Sequence, residues 1–486
     1  MKNIICIYIC FLYLFFGIAQ DNPWFLGYGA GAPGTNGVKM SFIGDTFNLE
    51  NEHRIIGGFI GTASFSDTLS NLLFYTNGIV ICNTNYDTMP HGNDMPIHHT
   101  LNDIKEVGYT FPNTLCALRS PSNPKQYYLL HPYLQGDTIL SYVYVMWHYY
   151  SLIDMDMENG LGDVAIQNQV FQNDTTTLGT MAAVRHANGR DWWIVFNKFM
   201  SNEYYTYLLD PSGFSGPVIQ KPGNAATPTL ETFGFAQFTP DGTKYIHDAF
   251  NYGIKIIDFD RCTGLFSSNP TIIPFKFTIG SIIISPNSQV LYKMAIDSLF
   301  QYDLTASDVA ASKQCVAISD GFMIGNYAAN FYNPGLAPNG KIYIGSRNGI
   351  GMLHVIDKPD ILGSACNVIQ HGVLLPMPNA TVPTPPNYHL GVLSGSACDT
   401  ITSYPSAVIR EQVKVYPNPA KEMLYIEMPP TMQQATFGLQ DITGKELLRQ
   451  QIGSKATILV GKLPKGLYFY HVITDKQQSY GKLIIE

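Results

Sequence analysis

The chain has 486 residues, of which 45% are apolar, 14% charged and 13% aromatic. Soluble proteins carry about 25% charged residues, so this sparse charge excludes long solvated helices and coiled coil as the main state. The 30 Tyr and 27 Phe favour strands and exclude dominant disorder. Residues 20–412 hold 19 basic and 31 acidic side chains, a net of −12, whereas residues 413–486 hold 9 and 6, a net of +3. An acidic body repels phosphate backbones, so no nucleic-acid partner is expected.

In chain order, Lys2 precedes the apolar run Ile4 to Phe16, and Gly17 and Ala19 stand at the minus-three and minus-one positions of a cleavage site before Gln20. Residues 1–19 therefore read as a secretory signal peptide. The run is shorter than the roughly 20 residues that span a bilayer, and no later run is longer, so no transmembrane segment is expected.

The early body carries strand-like pairs: Ala63 to Gly78, Tyr127 to His131 with Tyr149 to Asp154, and Trp192 to Phe196 with Tyr204 to Leu209. The middle repeats. Phe238-Thr-Pro-Asp-Gly-Thr-Lys-Tyr245, Ile284-Ser-Pro-Asn-Ser-Gln-Val-Leu-Tyr292 and Leu336-Ala-Pro-Asn-Gly-Lys-Ile-Tyr343 share one pattern, with prolines 46 and 52 residues apart. Pro fixes φ, Asp or Asn bonds back to the backbone and Gly accepts positive φ, so each copy is a tight turn between antiparallel strands. A second strand follows each turn: Ile254 to Asp260, Leu299 to Asp303 and Met352 to Ile356. A strand-only period near 50 residues predicts an all-β fold, a six- or seven-bladed β-propeller over residues 20–400 with seven preferred. Residues 401–412 read as a linker, and residues 413–486 as a small C-terminal β-sandwich.

Six cysteines remain after the signal: Cys82, Cys116, Cys262, Cys315, Cys366 and Cys398. In an exported chain they are disulfide candidates; neighbour pairing would join Cys82 to Cys116, Cys262 to Cys315 and Cys366 to Cys398, among 15 possible connectivities. No two stand at CxxC spacing, which argues against a zinc site.

His186, Arg190, Asp191, Trp192 and Trp193 form the densest group of chemically versatile residues and are the ligand-binding candidates. Adjacent strand residues point to opposite faces, so at most one of the two Trp faces any one ligand; the preferred reading is a structural turn with Asp191 bonding backbone and one Trp packed between blades. Asp154-Met-Asp-Met-Glu-Asn-Gly160 approaches a calcium loop, but Ala165 stands where a closing carboxylate is needed. His91, His98 and His99 share a Pro- and Gly-rich loop, without a spacing that puts both adjacent imidazoles on one face. No Gly-x-Ser-x-Gly elbow, His-Glu-x-x-His motif or P-loop occurs, so no catalytic residue, metal or cofactor is assigned.

The tail carries the most specific pattern: Tyr416-Pro417-Asn418-Pro419, Asp441-Ile-Thr-Gly444-Lys445, Gly466-Leu-Tyr468 and Lys482-Leu-Ile-Ile. Across its length it resembles the type A C-terminal sorting domain of the type IX secretion system. The resemblance implies passage across both membranes, with the type IX machinery and its sortase as partners and a secreted or cell-surface destination. The body, through Phe65 to Gly78, His186 to Trp193 and Gly363-Ser-Ala-Cys366, resembles secreted bacterial β-propellers of the hypothetical or gliding-associated kind, a group with no shared chemistry to transfer. The expected role is a surface or released binding and adhesion protein whose propeller displays a face to a glycan or protein ligand. The alternatives are an extracellular glycan or peptide hydrolase with carboxylates at the channel mouth, and a structural part of a surface motility apparatus.

Overall fold

The computed structural model describes residues 22–27, 37–57, 62–67, 70–93, 95–96, 108, 113–137, 142–223, 233–249, 252–275, 281–347, 350–376, 390–399, 413–428, 434–441, 445–473 and 478–486. The expected signal peptide and linker, together with His98, His99 and Gly444, lie outside these residues. The chain divides into two units, Met1–Ile401 and Thr402–Glu486.

The first unit is a series of antiparallel sheets in chain order. The first is Trp24–Leu26, Gly37–Ile43 and Thr46–Glu52, and the second Ala63–Ser66, Leu72–Thr76 and Ile81–Cys82. The third is Cys116–Arg119, Gln126–Asp137, Tyr142–Asp154 and Asp163–Gln172, and the fourth Ala182–Arg185, Trp192–Asn197, Tyr204–Asp210 and Gly213–Gln220. The fifth runs Gly234–Phe238, Lys244–Ala249, Gly253–Asp260 and Leu265–Phe266, with Thr271–Ile273 also beside its third strand. The sixth is Ile282–Ile284, Val290–Met294, Ser298–Asp303 and Gln314–Ile318, and the seventh Asn333–Leu336, Ile342–Gly345, Met352–Ile356 and Val368–Leu374.

Packing follows from the two-residue period of a strand. In Trp192–Asn197 every residue is buried. Trp192, Ile194 and Phe196 enter the cluster shared with the third sheet, while Trp193 and Val195 enter the cluster shared with the fifth. A strand covered on both faces needs no polar side, so its sequence reads as a continuous apolar run.

Such clusters join each sheet to the next. Phe25 and Tyr75 belong to the cluster between sheets one and two, Phe74 and Leu129 to that between two and three, Ile246 and Leu291 to that between five and six, and Ile283 and Ile344 to that between six and seven. The ring then closes, because Trp24, Val38 and Met40 of the first sheet share a cluster with Tyr343, Leu353 and Val373 of the seventh. Trp24 and Phe42 both meet the Tyr343 ring, at 5.9 and 5.8 Å. The fold is a β-propeller with seven blade sheets among the described residues.

The repeated turns have the predicted chemistry. Gly242 N–H bonds Thr239 O at 2.7 Å, Ser288 N–H bonds Ser285 O at 2.9 Å and Gly340 N–H bonds Ala337 O at 2.9 Å. Side-chain oxygens of Asp241 and Asn287 accept from Thr239 Oγ1 and Ser285 Oγ at 2.6 Å each. His186-Ala-Asn-Gly189 is a fourth copy, with Gly189 N–H bonding His186 O at 2.9 Å and Gly189 at φ 72°. These turns all join a first strand to a second, so they lie at one end of the ring; second turns lie at the other.

The second unit is a sandwich of Lys414–Tyr416, Met423–Glu427 and Lys455–Leu459 against Glu446–Gly453, Gln434–Gln440, Gly466–Ile473 and Gln478–Ile485. Alternation decides its core: Leu424 and Ile426 are buried while Met423 and Tyr425 face out. Phe437, Leu439, Ile458 and Leu483 complete the apolar layer.

Candidate functional site

The five ligand-binding candidates lie on the first turn of the fourth sheet, and each faces protein. Asp191 accepts from Arg190 Nε at 2.7 Å and from Asn188 Nδ2 at 2.6 Å. His186 Nε2 donates to Cys262 O at 3.0 Å and Nδ1 accepts from Asn188 N at 3.0 Å, an arrangement that suits a neutral ring. Burial accordingly lowers its pKa. Trp193 Nε1 donates to Arg261 O at 2.8 Å in the fifth sheet's turn, and Trp192 Nε1 to Arg119 O at 3.0 Å in the third sheet. The Arg185 guanidinium lies 3.8 Å from the centroid of the Trp192 ring. Both Trp are packed between blades, one in each interface, rather than one as the sequence suggested.

A strap covers this end of the ring. Leu393 N–H bonds Ala187 O at 2.8 Å, and Arg261 donates to Gly391 O at 2.9 Å. Leu390 packs against both the fourth–fifth and the sixth–seventh clusters, which one side chain can do only near the ring axis. A Cβ on Gly189 would come within 2.6 Å of Val392 N, and Gly189 holds positive φ, so glycine is required there.

The strap ends in a disulfide between Cys262 and Cys398, with Cα atoms 5.6 Å apart. This corrects the neighbour pairing. Cys82 packs between sheets one and two and Cys116 between sheets three and four, so the second and third sheets both lie between the two thiols. Cys315 is exposed on the outer strand of the sixth sheet, and Cys366 is buried between sheets six and seven. Burial pushes the Cys82 thiol up to about 12, which keeps it protonated and unreactive.

The three buried carboxylates of the first unit, among the described residues, each meet a basic side chain. Asp163 lies 3.0 Å from His91 Nδ1, Asp191 pairs with Arg190, and Asp248 lies 2.5 Å from Lys293 Nζ. Burial raises the Asp248 pKa, against the pull of Lys293. The segment from Asp154 forms a turn in which Asp154 Oδ1 accepts from Asp156 N at 2.9 Å. No three His, Cys, Asp or Glu side chains converge as a metal would require, among the described residues.

In the tail, the opening and closing motifs brace each other. Asn418 Oδ1 accepts from Ile484 N at 2.9 Å, Ala420 N–H bonds Ile484 O at 2.8 Å and Glu486 N–H bonds Ala420 O at 2.9 Å. Pro417 and Pro419 flank that asparagine; Tyr416 stands on the outer face, its ring 5.8 Å from Tyr425. Asp441 closes its turn by exchanging bonds with Lys445, each 3.1 Å. Gly466 opens the strand in which Tyr468 is buried, its hydroxyl donating to Pro464 O at 2.5 Å; Lys482 pairs with Phe469 across the last two strands.

Residues 414–486 match the secretion system C-terminal sorting domain. This segment is a type IX sorting tail. It directs the chain to the cell surface or the extracellular space. No curated protein matches the chain. Among solved structures, a functionally unknown protein from Desulfotomaculum acetoxidans is 10% identical with a TM-score of 0.36, covering 75% of this chain and 100% of its own. A putative 6-phosphogluconolactonase from Bacteroides uniformis is 12% identical with a TM-score of 0.40, covering 74% and 98%. The periplasmic gluconolactonase of Pseudomonas aeruginosa is 12% identical with a TM-score of 0.30, covering 74% and 96%. No helix among the described residues is long and apolar enough to cross a membrane.

The bracing of the sorting tail gives a direct expectation. Asn418→Ala takes that acceptor from the Ile484 N–H, and because the bond is exposed the loss in tail stability is about 0.5–1.5 kcal/mol. Less protein should then reach the surface, read by fractionation and by proteolysis of the tail; unchanged delivery with a destabilised tail would separate folding from recognition.

Proposed function

We propose that the sorted cargo is a binding module, with the propeller as a rigid display frame and the ring end away from the strap as the displayed surface. One observation carries this reading: among the described residues of the first unit, each buried carboxylate is engaged by a basic partner. A glycoside hydrolase needs two carboxyl groups converging on a cleft, roughly 5 to 9.5 Å apart, with one of them protonatable. Carboxylates bonded to Arg190 and Lys293, or held against the His91 ring, are structural in character. Polar side chains meanwhile knit neighbouring first strands: Gln237 Nε2 donates to Ile282 O at 2.7 Å and Ser281 Oγ to Tyr332 O at 2.7 Å. Such a frame holds connecting loops in fixed relation, which suits recognition of a glycan or protein.

The test is incubation of the exported chain with envelope polysaccharides and peptides, followed by mass spectrometry of what is retained. Retention of intact material is expected. Time-dependent cleavage would overturn the reading in favour of a hydrolase.

A further inference from the structure

The connection from the sixth sheet to the seventh forms a hairpin of its own, Met323–Ile324 paired with Tyr327–Ala328. Ile318 is 67% exposed, Phe322 43%, Met323 52%, Ile324 44% and Tyr327 58%. Five large apolar side chains thus face solvent within ten residues. Ile324 and Tyr327 pair on one face of the hairpin and Met323 lies on the other, so the finger is apolar on both faces, and exposed apolar surface gathered in this way on a soluble protein is often functional.

The base of this hairpin is fixed. The Asp320 carboxylate meets His371 Nε2 at 2.9 and 3.1 Å, and the Phe322 and His371 rings lie 4.5 Å apart. Gln370 Nε2 donates to Ile318 O at 3.0 Å while its Oε1 accepts from Asp320 N at 3.1 Å. Ser319 N–H bonds Asp297 O at 2.8 Å and Phe331 N–H bonds Ile296 O at 2.8 Å, which seats the hairpin on the second turn of the sixth sheet. It therefore stands at the end opposite the strap. A preorganised apolar finger loses little conformational entropy on binding.

We propose that this hairpin is an anchor for a protein partner offering an apolar groove with a basic rim. The apolar tip calls for the groove. The rim follows from charge: Asp297 and Asp320 flank the hairpin, and residues 20–412 carry a net of −12. The same charge makes two copies repel. An anionic membrane is disfavoured likewise, since such surfaces attract basic clusters. The proposal rests on the binding-module reading for the end that meets the partner.

The test places a photo-crosslinking amino acid at Met323 of the full chain in the producing cell, with parallel probes at Arg347, on the seventh sheet's second turn, and at Thr263 at the strap end. One discrete protein adduct is expected from Met323, and the purified partner should bind the Phe322→Ser/Ile324→Ser chain at least about tenfold more weakly than wild type, as for loss of a central apolar anchor. Both positions are exposed, so that variant should fold; its thermal unfolding is the control. An adduct at Arg347 with none at Met323 would overturn the hairpin and keep the binding module, whereas no adduct at either would overturn both. An adduct with the mass of two copies, or flotation with phosphatidylcholine vesicles that the serine variant abolishes, would replace the proposed partner with a second copy or a lipid surface.

Discussion

Replacing Cys262 and Cys398 together by serine is expected to lower the unfolding free energy of the propeller by about 2–5 kcal/mol. The two cysteines are 136 residues apart, and the entropy removed from the unfolded chain grows with the logarithm of the closed loop. The bond links a turn of the fifth sheet to the chain that follows the seventh, so it spans the end of the ring where Leu390 lies near the axis. Losing it also lets Leu390 and the Arg261–Gly391 contact open at low cost, and the first-turn end becomes accessible. Denaturant titration of the double variant, set beside wild type with and without reductant, measures the effect. Reduced wild type should reproduce the variant, since Cys82 and Cys366 are buried thiols with no disulfide to lose. A shift under 0.5 kcal/mol, well below the range for native bridges, would show that strap packing alone holds this end.

That bridge also marks where sequence reading stops. The turns at residues 239–242, 285–288 and 337–340 were legible because Pro, Asp or Asn and Gly encode a turn within four residues. The copy at His186 to Gly189 lacks the proline, yet the preferred reading as a structural turn agrees with the Gly189 N–H to His186 O bond. Its Arg190 and Asp191 pair with each other because both belong to one turn, a local fact. The destinations of Trp192 and Trp193 are not local. Alternation separates their faces, but only the flanking third and fifth sheets decide that both faces are buried. The Cys262–Cys398 pair depends on the chain returning to the fifth sheet after completing the seventh, which no spacing rule contains. Tail motifs were readable for the opposite reason: Asn418 and the closing strand are far apart in sequence but belong to one small sandwich whose landmarks recur together. The hairpin at Met323 escaped notice since an exposed Phe-Met-Ile run reads like a core strand.

Acidification from pH 7 to pH 5 is expected to cost the propeller about 4 kcal/mol through His131 and His148 alone. Both rings are fully buried in the third sheet, His131 stacked on Tyr149 and His148 on Phe196 with centroids 5.7 and 4.3 Å apart. Their Nε2 atoms meet Ser151 Oγ at 3.1 Å and Thr176 Oγ1 at 2.7 Å, hydroxyls that can serve a neutral imidazole. Burial lowers each pKa from 6.5 to about 3, with His148 adding to the effect on His131. The sign follows from proton uptake. Below pH 6.5 the unfolded chain protonates these imidazoles while the folded chain does not, so stability falls as pH drops from about 6.5 towards 3. Over the step from pH 7 to 5 each ring contributes about 2 kcal/mol, and carboxylates titrate mostly below that window. His148→Gln keeps a polar group of similar reach and should remove about 2 kcal/mol of the measured loss; the same holds for His131→Gln. Denaturant titrations of the three chains at both pH values provide the comparison, and parallel losses in all three would place the acid sensitivity elsewhere, with His247 and His354, whose pKa values burial also lowers, the next rings to replace.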